Sequence, residues 1–556
     1  LTHFGQGTPY PYGYFASPSH FAQTLRVSRF RFSLFTSAAL TLGVLLALWA
    51  PVASLYGAAT LEALRENPAR LWAALPLSLL ARTLFWNTFF LCAGTVAISL
   101  LLGAVVATFL ATREKFSPAL LFFAAPLAVS PTLMATAYLE IARTPPARAA
   151  ASLGAQSTLS VSSIFITAPV LALCFYPIIA FAIGAARRSV PLELTDAARL
   201  FGDDWNAKRR VLWPLLAPAA LAACGVVAAL AMWEMGAPDL LDARTYSVQI
   251  YRDFSAEQNT TQAAVDAIPM LFLGALCFVP AWRMLQFYAR WETFNAPTAP
   301  IANPNRWILA AAILIFVLSP LAPLSIFIQQ MQPKHILLAV WSANGTEIWN
   351  TIVVATCAAV AIVALSLALA AAWREYSPRT QSVLVALFTT TLLFAPIMSA
   401  IAYLTFYNRA ALDFVYDSRY GLLTLGLSAR FLPMGVLWFH EALRRIPTNL
   451  RDAAANMGAT PLQIFVSITA PLLAPAIATL FALGWALCAS ELSLSVLLNA
   501  PGGQTLPVPI FNQMHIGATA EVAALSLTLV ALTLGVLLAP TALSHLISHL
   551  RRARSE

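Results

Sequence analysis

Pro191-Leu192-Glu193-Leu194-Thr195-Asp196-Ala197-Ala198-Arg199-Leu200-Phe201-Gly202 returns in outline as Pro447-Thr448-Asn449-Leu450-Arg451-Asp452-Ala453-Ala454-Ala455-Asn456-Met457-Gly458. Both copies read Pro-x4-Asp-Ala-Ala-x3-Gly, 256 residues apart. Each is followed by the same pentapeptide, Pro214-Leu215-Leu216-Ala217-Pro218 and Pro471-Leu472-Leu473-Ala474-Pro475, now 257 apart. Long apolar runs flank both copies. A repeat on this scale marks a duplicated membrane unit with two matched loops.

Composition agrees with a membrane location. Of the 556 residues, 59% are hydrophobic and 10% charged, against about 25% charged in soluble domains. No soluble core absorbs that apolar excess, so the chain reads as a polytopic membrane protein. The net charge of +9 does not indicate nucleic acid, because no basic face is interleaved with stacking aromatics. Cys92, Cys174, Cys224, Cys277, Cys357 and Cys488 all fall in apolar runs without a Cys-x-x-Cys pair, and read as small buried side chains.

Twelve spans are expected, near 32–55, 86–111, 119–139, 164–186, 214–234 and 265–285, then 307–328, 350–372, 381–407, 420–440, 471–497 and 521–545. Each holds about 20 residues or more, as a roughly 30 Å apolar layer requires. The fold class is therefore all-α integral membrane, in two homologous six-helix halves. The expected units are a flexible cytoplasmic tail at 1–31, a first domain at 32–285, a linker at 286–306, a second domain at 307–545 and a basic cytoplasmic tail at 546–556. With the N-terminus inside, the cytoplasmic side carries 21 Lys and Arg and the outer side 10, leaving Arg283 and Arg430 within spans. That is the positive-inside bias, and it puts both repeated loops and both termini in the cytoplasm.

Further anchors repeat in the same order. Trp86-Asn87-Thr88 opens the second span of one half and Trp349-Asn350-Thr351 that of the other. Arg113-Glu114-Lys115-Phe116-Ser117-Pro118 is echoed by Arg374-Glu375-Tyr376-Ser377-Pro378. Arg187-Arg188 and Arg444-Arg445 precede the two loops. With six spans per half, the copies share one orientation, and a pseudo-twofold axis runs along the membrane normal.

The repeated loop reads physically as a short helix, a turn and a return to the membrane. Pro191 and Pro447 end the preceding span and suit a first helical turn. Asp196 and Asp452 are placed near the positive end of the short helix. The alanines leave a surface that another protein approaches closely, and Gly202 and Gly458 allow a sharp exit at positive φ.

These segments resemble the Glu-Ala-Ala-x3-Gly loop of permease subunits of ATP-binding-cassette (ABC) importers, across roughly residues 86–285 and 350–545. The resemblance implies the type I importer permease fold. It also implies that Asp196, Ala197, Ala198 and Gly202, with Asp452, Ala453, Ala454 and Gly458, couple to ATPase subunits. Two departures stand out. The leading acid is Asp instead of Glu, and eleven residues separate Gly202 from Pro214 where twelve separate Gly458 from Pro471.

Lys115, Lys208 and Lys334 are the only lysines, and none lies in a Gly-x4-Gly-Lys-Ser/Thr loop. This chain has no P-loop of its own, so ATP would be used by a partner and the chain would be a transporter subunit, not an enzyme. Two coupling loops imply two ATPase copies. The family further implies a periplasmic or lipid-anchored binding protein, a bacterial inner-membrane location and lipid as surroundings, with no cofactor in this chain.

Fused permeases are characteristic of ferric-iron and thiamine importers. Glu234 to Leu241, Thr245 to Arg252 and Ala429 to Pro433 resemble segments of the iron type. Ferric iron is therefore the first expectation for substrate, with thiamine, aminoethylphosphonate or another small solute as alternatives. An ion-coupled secondary transporter is the rival of another class.

Charges within spans are candidates for the translocation path. Glu234 and Glu491 are related by the 257 offset, and Arg430 sits where the first half has Cys174. Arg430 either lines the path or pairs with a carboxylate. His440, His515, His545 and His549 are scattered at span ends. No cluster has metal-ligand spacing, so iron would be held by the separate binding protein.

Overall fold

The structure, a computed structural model, describes residues 18–66, 78–111, 123–143, 159–188, 208–257, 260–290, 306–331, 335–374, 376–444, 446–517 and 519–555, with positions 190 and 200. Its first half holds α1 (Pro18–Glu66), α2 (Leu79–Leu110), α3 (Pro131–Arg143), α4 (Leu159–Arg188), α5 (Trp213–Trp233), α6 (Gly236–Leu240), α7 (Tyr246–Glu257) and α8 (Thr260–Arg290). The second holds α9 (Arg306–Phe316), α10 (Ala322–Gln330), α11 (Ile336–Ala343), α12 (Gly345–Trp373), α13 (Pro378–Thr389), α14 (Pro396–Tyr407), α15 (Asp413–Tyr416) and α16 (Gly421–Arg444). It ends with α17 (Thr448–Asn456), α18 (Pro461–Ile464), α19 (Ala470–Ala489), α20 (Ser493–Leu498), α21 (Pro507–Ile516) and α22 (Thr519–Ser555). Among the described residues the fold is all-α.

Among the described residues, nine helices are long and apolar enough to cross a membrane. The pair Pro378–Leu393 and Pro396–Tyr407, bent by 96°, brings the number to ten when taken as one broken span, short of the twelve expected, and Thr260–Leu276 is a shorter apolar helix. Each segment expected as a third span, 119–139 and 381–407, is not a straight helix where it is described. It is broken by a 3₁₀ turn, Ala125–Ala128 or Thr390–Leu393, before Pro131 or Pro396 restarts the helix. A proline supplies no N–H, so it belongs at such a restart. The span expected at 471–497 ends earlier, at Ala489. α1 begins at Pro18, inside the expected tail, and α22 runs to Ser555, because a nucleated helix propagates past the apolar stretch. The linker beyond Arg290 lies outside the described residues up to 305.

The irregularities are duplicated. A π-helical turn, Lys208–Leu212, leads into α5, and another, Phe465–Thr469, leads into α19, 257 residues on. The two 3₁₀ turns are 265 apart. The Trp-Asn-Thr anchors have matching jobs. Asn87 Nδ2 donates to the Arg244 carbonyl (3.0 Å), and Thr88 Oγ1 accepts the Tyr246 N–H (3.2 Å) at the start of α7. Asn350 Nδ2 donates to the Gly502 and Gln504 carbonyls (3.0 and 2.9 Å), and Thr351 Oγ1 accepts the Leu506 N–H (2.8 Å) just before α21. Each pair supplies polar groups that a helix end would otherwise leave unpaired. Trp86 and Trp349 remain exposed beside them, where aromatic rings sit at a membrane interface.

The halves interlock through their first spans. From α1, Thr41 Oγ1 accepts the Trp373 indole N–H (2.9 Å), and Ser37 Oγ bonds the Tyr376 hydroxyl (2.7 Å). In return, Ser319 Oγ donates to the Leu173 carbonyl (2.7 Å), and the Tyr138 hydroxyl donates to the Leu318 carbonyl (2.5 Å).

Within each half the second and fourth spans cross at a small residue, taken from opposite partners. In the first half Gly103 on α2 faces Ile179 on α4, where an added Cβ would lie 3.0 Å from the Ile179 Cβ. In the second half Ser366 is on α12 and the glycine, Gly435, is on α16, where a Cβ would lie 2.7 Å from Ser366 Oγ. Close approach of small residues is how helices pack in lipid. Gly435→Ile alone should therefore overpack the crossing and cost about 1–3 kcal/mol. Combined with Ser366→Gly, which copies the first half, it should recover most of that loss. Thermal unfolding of both variants in detergent checks the prediction.

Candidate functional site

The first copy of the repeated loop, with Asp196, Ala197, Ala198 and Gly202, lies outside the described residues. The second copy is fully placed. Pro447 is the N-cap of α17, so the helix starts at Thr448, and Asp452 is its fifth residue. The acid therefore lies beyond the first turn instead of at the positive helix end as expected, because the proline precedes the helix. Ala453 is exposed and Ala454 buried, so the helix sets one alanine against the bundle and offers the other outward.

The glycine has a specific task. Gly458 has φ +87°, its N–H bonds the Ala455 carbonyl (3.0 Å), and the Ala459 N–H bonds the Ala454 carbonyl (3.1 Å). This is a Schellman cap, in which the residue after the helix adopts the left-handed conformation. Two residues on, Thr460 and Gln463 cap the next helix reciprocally. The Gln463 Oε1 accepts the Thr460 N–H (2.8 Å), and Thr460 Oγ1 accepts the Gln463 N–H (3.3 Å). A stop and a start within a few residues make the helix–turn–helix stub rigid.

The outward surface of this stub is part apolar, part basic. Leu450, Met457 and Leu462 are exposed. Arg374, in the echoed Arg-Glu-Tyr-Ser-Pro segment, is pushed below its ordinary guanidinium pKa by burial and by the neighbouring charge of Arg451 on α17. Two cations held together call for an anion.

The three charges expected on the path come together, two at the ends of α5 and α19 and the third, Arg430, within α16. Glu234 is the C-cap of α5, and Glu491 lies just past the C-cap of α19, Ser490. Arg430 Nη1 lies 3.4 Å from Glu491 Oε1, both side chains being largely buried. Of the two roles open to Arg430, the structure shows the pairing. Removing one member would leave an uncompensated buried charge, at about 3–5 kcal/mol. Glu234 feels both Glu491 and Arg430, and its carboxylate accepts the backbone N–H groups of Gly236 and Ala237. Gly236 admits no side chain, because a Cβ would collide with Thr132 on α3. Arg430 also lines a cavity between the halves, with Trp233, Phe394, Tyr403 and Phe431 among its walls.

Some working residues gave little sign in the sequence. His515, expected as an interfacial residue, places Nε2 3.4 Å from Asp239 Oδ2, while Arg252 Nη2 lies 3.1 Å from Asp239 Oδ1. That contact joins the halves on the face opposite the loops. Trp233 was hidden among ordinary apolar residues. Among the described residues no group of three His, Cys, Asp or Glu is arranged to hold a metal ion.

Comparison with known proteins agrees with this architecture. Residues 362–551 match the family described as "Binding-protein-dependent transport system inner membrane component". A protein of Salmonella paratyphi A named as a 2-aminoethylphosphonate transport system permease, PhnV, is 28% identical over 204 residues, covering 36% of this chain and 75% of that protein. The putrescine transport system permease PotI of Escherichia coli K12 is 34% identical over 84 residues, covering 15% of this chain and 30% of its own. The spermidine/putrescine permease PotC of the same strain is 29% identical over 108 residues, covering 19% and 41%.

Fold and matches together define a multi-pass inner-membrane transport component. The match of residues 362–551 to the binding-protein-dependent inner-membrane family, with relatives named as transport permeases, supports an ABC-type importer permease of the type I fold. The matched names are of phosphonate and polyamine systems, so the expectation of ferric iron finds no support among them.

The open space around Gly458 separates backbone from steric effects, since an added Cβ would meet nothing within 4 Å. Gly458→Asn, which tolerates positive φ, should keep the stub and its partner binding. Gly458→Val should cost about 1–2 kcal/mol locally and weaken ATPase association about tenfold. Pull-down of the ATPase by the two variants checks this.

Proposed function

We propose that this chain is the complete membrane part of an ATP-driven importer for a small organic ion. Its two permease domains, near 32–285 and 307–545, would each present one coupling loop to one of two ATPase copies. A binding protein would deliver solute to the opposite face, and the loops and both termini would lie in the cytoplasm. The observation that carries this reading is the capped stub at Thr448–Gly458, repeated in sequence at Pro191–Gly202. Rigidity suits a lever, and the Arg374–Arg451 pair beside exposed Leu450 and Met457 suits a cleft with an acidic rim and an apolar floor.

The substrate reading shifts from iron to a phosphonate-type solute. The PhnV match spans most of that permease, and a path holding Arg430 beside Glu491 and Glu234 offers partners to both ends of a small zwitterion. Polyamines are the second reading, because two carboxylates and several aromatic rings also suit a cation.

The full chain, co-expressed with its ATPase, should co-purify with it and raise ATP hydrolysis in lipid. Asp196→Lys with Asp452→Lys should reduce co-purification at least tenfold. No complex with the ATPase, together with uptake driven by a proton or sodium gradient, would instead establish the secondary-transporter reading.

A further inference from the structure

Two buried tryptophans pair their indole N–H groups, Trp373 with Thr41 Oγ1 and Trp485 with Thr356 Oγ1, at 2.9 and 3.0 Å. Trp233 differs. It is 3% exposed, and its Nε1 has no hydrogen-bond partner. Arg430 Nη1 likewise makes no hydrogen bond, its 3.4 Å approach to Glu491 being an ion pair only. Both residues line the cavity between the halves.

Two more donors stand behind the same wall. Trp49 Nε1 and the Tyr56 hydroxyl are also buried without partners, and both rings pack on Phe394, with centroids 5.1 and 5.9 Å away. Phe394 is itself part of the cavity lining. A buried donor without an acceptor costs about 1–3 kcal/mol, so a group of them around one cavity indicates an acceptor that is absent from the free chain. The donors are N–H and O–H groups, one of them cationic. Their complement is a compact oxyanion, whose several lone pairs accept from an arginine fork and an indole together.

We infer that this cavity is a transit site for the oxyanionic head of a small solute, held by Trp233 Nε1 and Arg430 Nη1. The inference rests on the importer reading and names its substrate class: a phosphonate or similar anion, not a polyamine. Glu491 would then be shared between Arg430 and any ammonium group the solute carries. The site draws on both halves, with Leu48 and Trp233 from the first and Phe394, Tyr403 and Arg430 from the second. Rocking of the halves would therefore assemble it and take it apart.

The test uses the full chain in lipid nanodiscs and saturation-transfer NMR, with 2-aminoethylphosphonate, ethylphosphonate and putrescine as probes. Both phosphonates should bind and putrescine should not. Trp233→Phe keeps the ring and removes only the donor, so it should weaken both phosphonates about fivefold, near the worth of one hydrogen bond. Trp485→Phe, whose indole is bonded elsewhere, should leave phosphonate binding unchanged. Arg430→Lys, which keeps the charge but loses the fork, should weaken ethylphosphonate more than Trp233→Phe does.

Binding of putrescine, or phosphonate binding indifferent to Trp233→Phe, would overturn the site. So would the absence of all binding by a chain that still captures its ATPase, and the importer reading would then stand without it. Loss of ATPase capture by the unaltered chain would strike the importer reading itself.

Discussion

A helix that stops within an apolar layer frees backbone groups that lipid does not satisfy. Nearly every distinctive feature of this chain answers that constraint. After α5 and α19 the chain breaks into short helices before it crosses again. Asn87 and Thr88 take the freed groups in one half, and Asn350 and Thr351 in the other. Arg419 and Tyr420 reinforce the second site by donating to Asn350 Oδ1 at 3.2 and 2.8 Å. With those ends pinned, irregular backbone stands beside the proposed path, where a solute would need polar partners. Glu234 and Glu491 stand at the break points for the same reason.

The duplication repeats the backbone plan, and departures from symmetry set the two halves apart. Cys174 and Arg430 occupy equivalent positions, yet only Arg430 carries charge. Its pairing with Glu491 lies within one half, and Glu234 of the other half feels the same two charges. The close crossings tell a similar story, with the glycine on α2 in one half and on α16 in the other. Asp242 at φ 52° stands where Gly502 at φ 72° stands 260 residues later. Asp tolerates the left-handed region better than most side chains. The backbone plan is therefore kept even where the residue that best suits it is not.

The overall plan was legible before the structure because repetition and hydropathy are both written locally. The repeat of the loops and the Trp-Asn-Thr anchors need no tertiary information, whereas the described residues show nine or ten spans where hydropathy suggested twelve. Gly458 was legible too, since a glycine after a short helix calls for a positive φ, and it has one. What escaped was set by contacts distant in sequence. Whether Arg430 would meet a carboxylate depended on how α16 and α19 pack, and the union of Asp239 with His515 on the packing of the two halves. The bend at Thr390–Leu393 was hidden because apolar residues continue through it unchanged. Asp452 was misplaced within its helix because a proline serves equally as N-cap or first residue.

The account turns on two loops moved together by ATP, and one distance reports that motion. Leu200 and Met457 lie in the two copies and are 84% and 82% exposed. Each can be changed to Cys for spin labelling, with the exposed Cys357 replaced by Ser. Pulsed electron–electron resonance on the assembled complex should then give a shorter inter-label distance with ATP bound than without nucleotide. A distance unchanged by ATP, in a complex that hydrolyses it, would contradict the account.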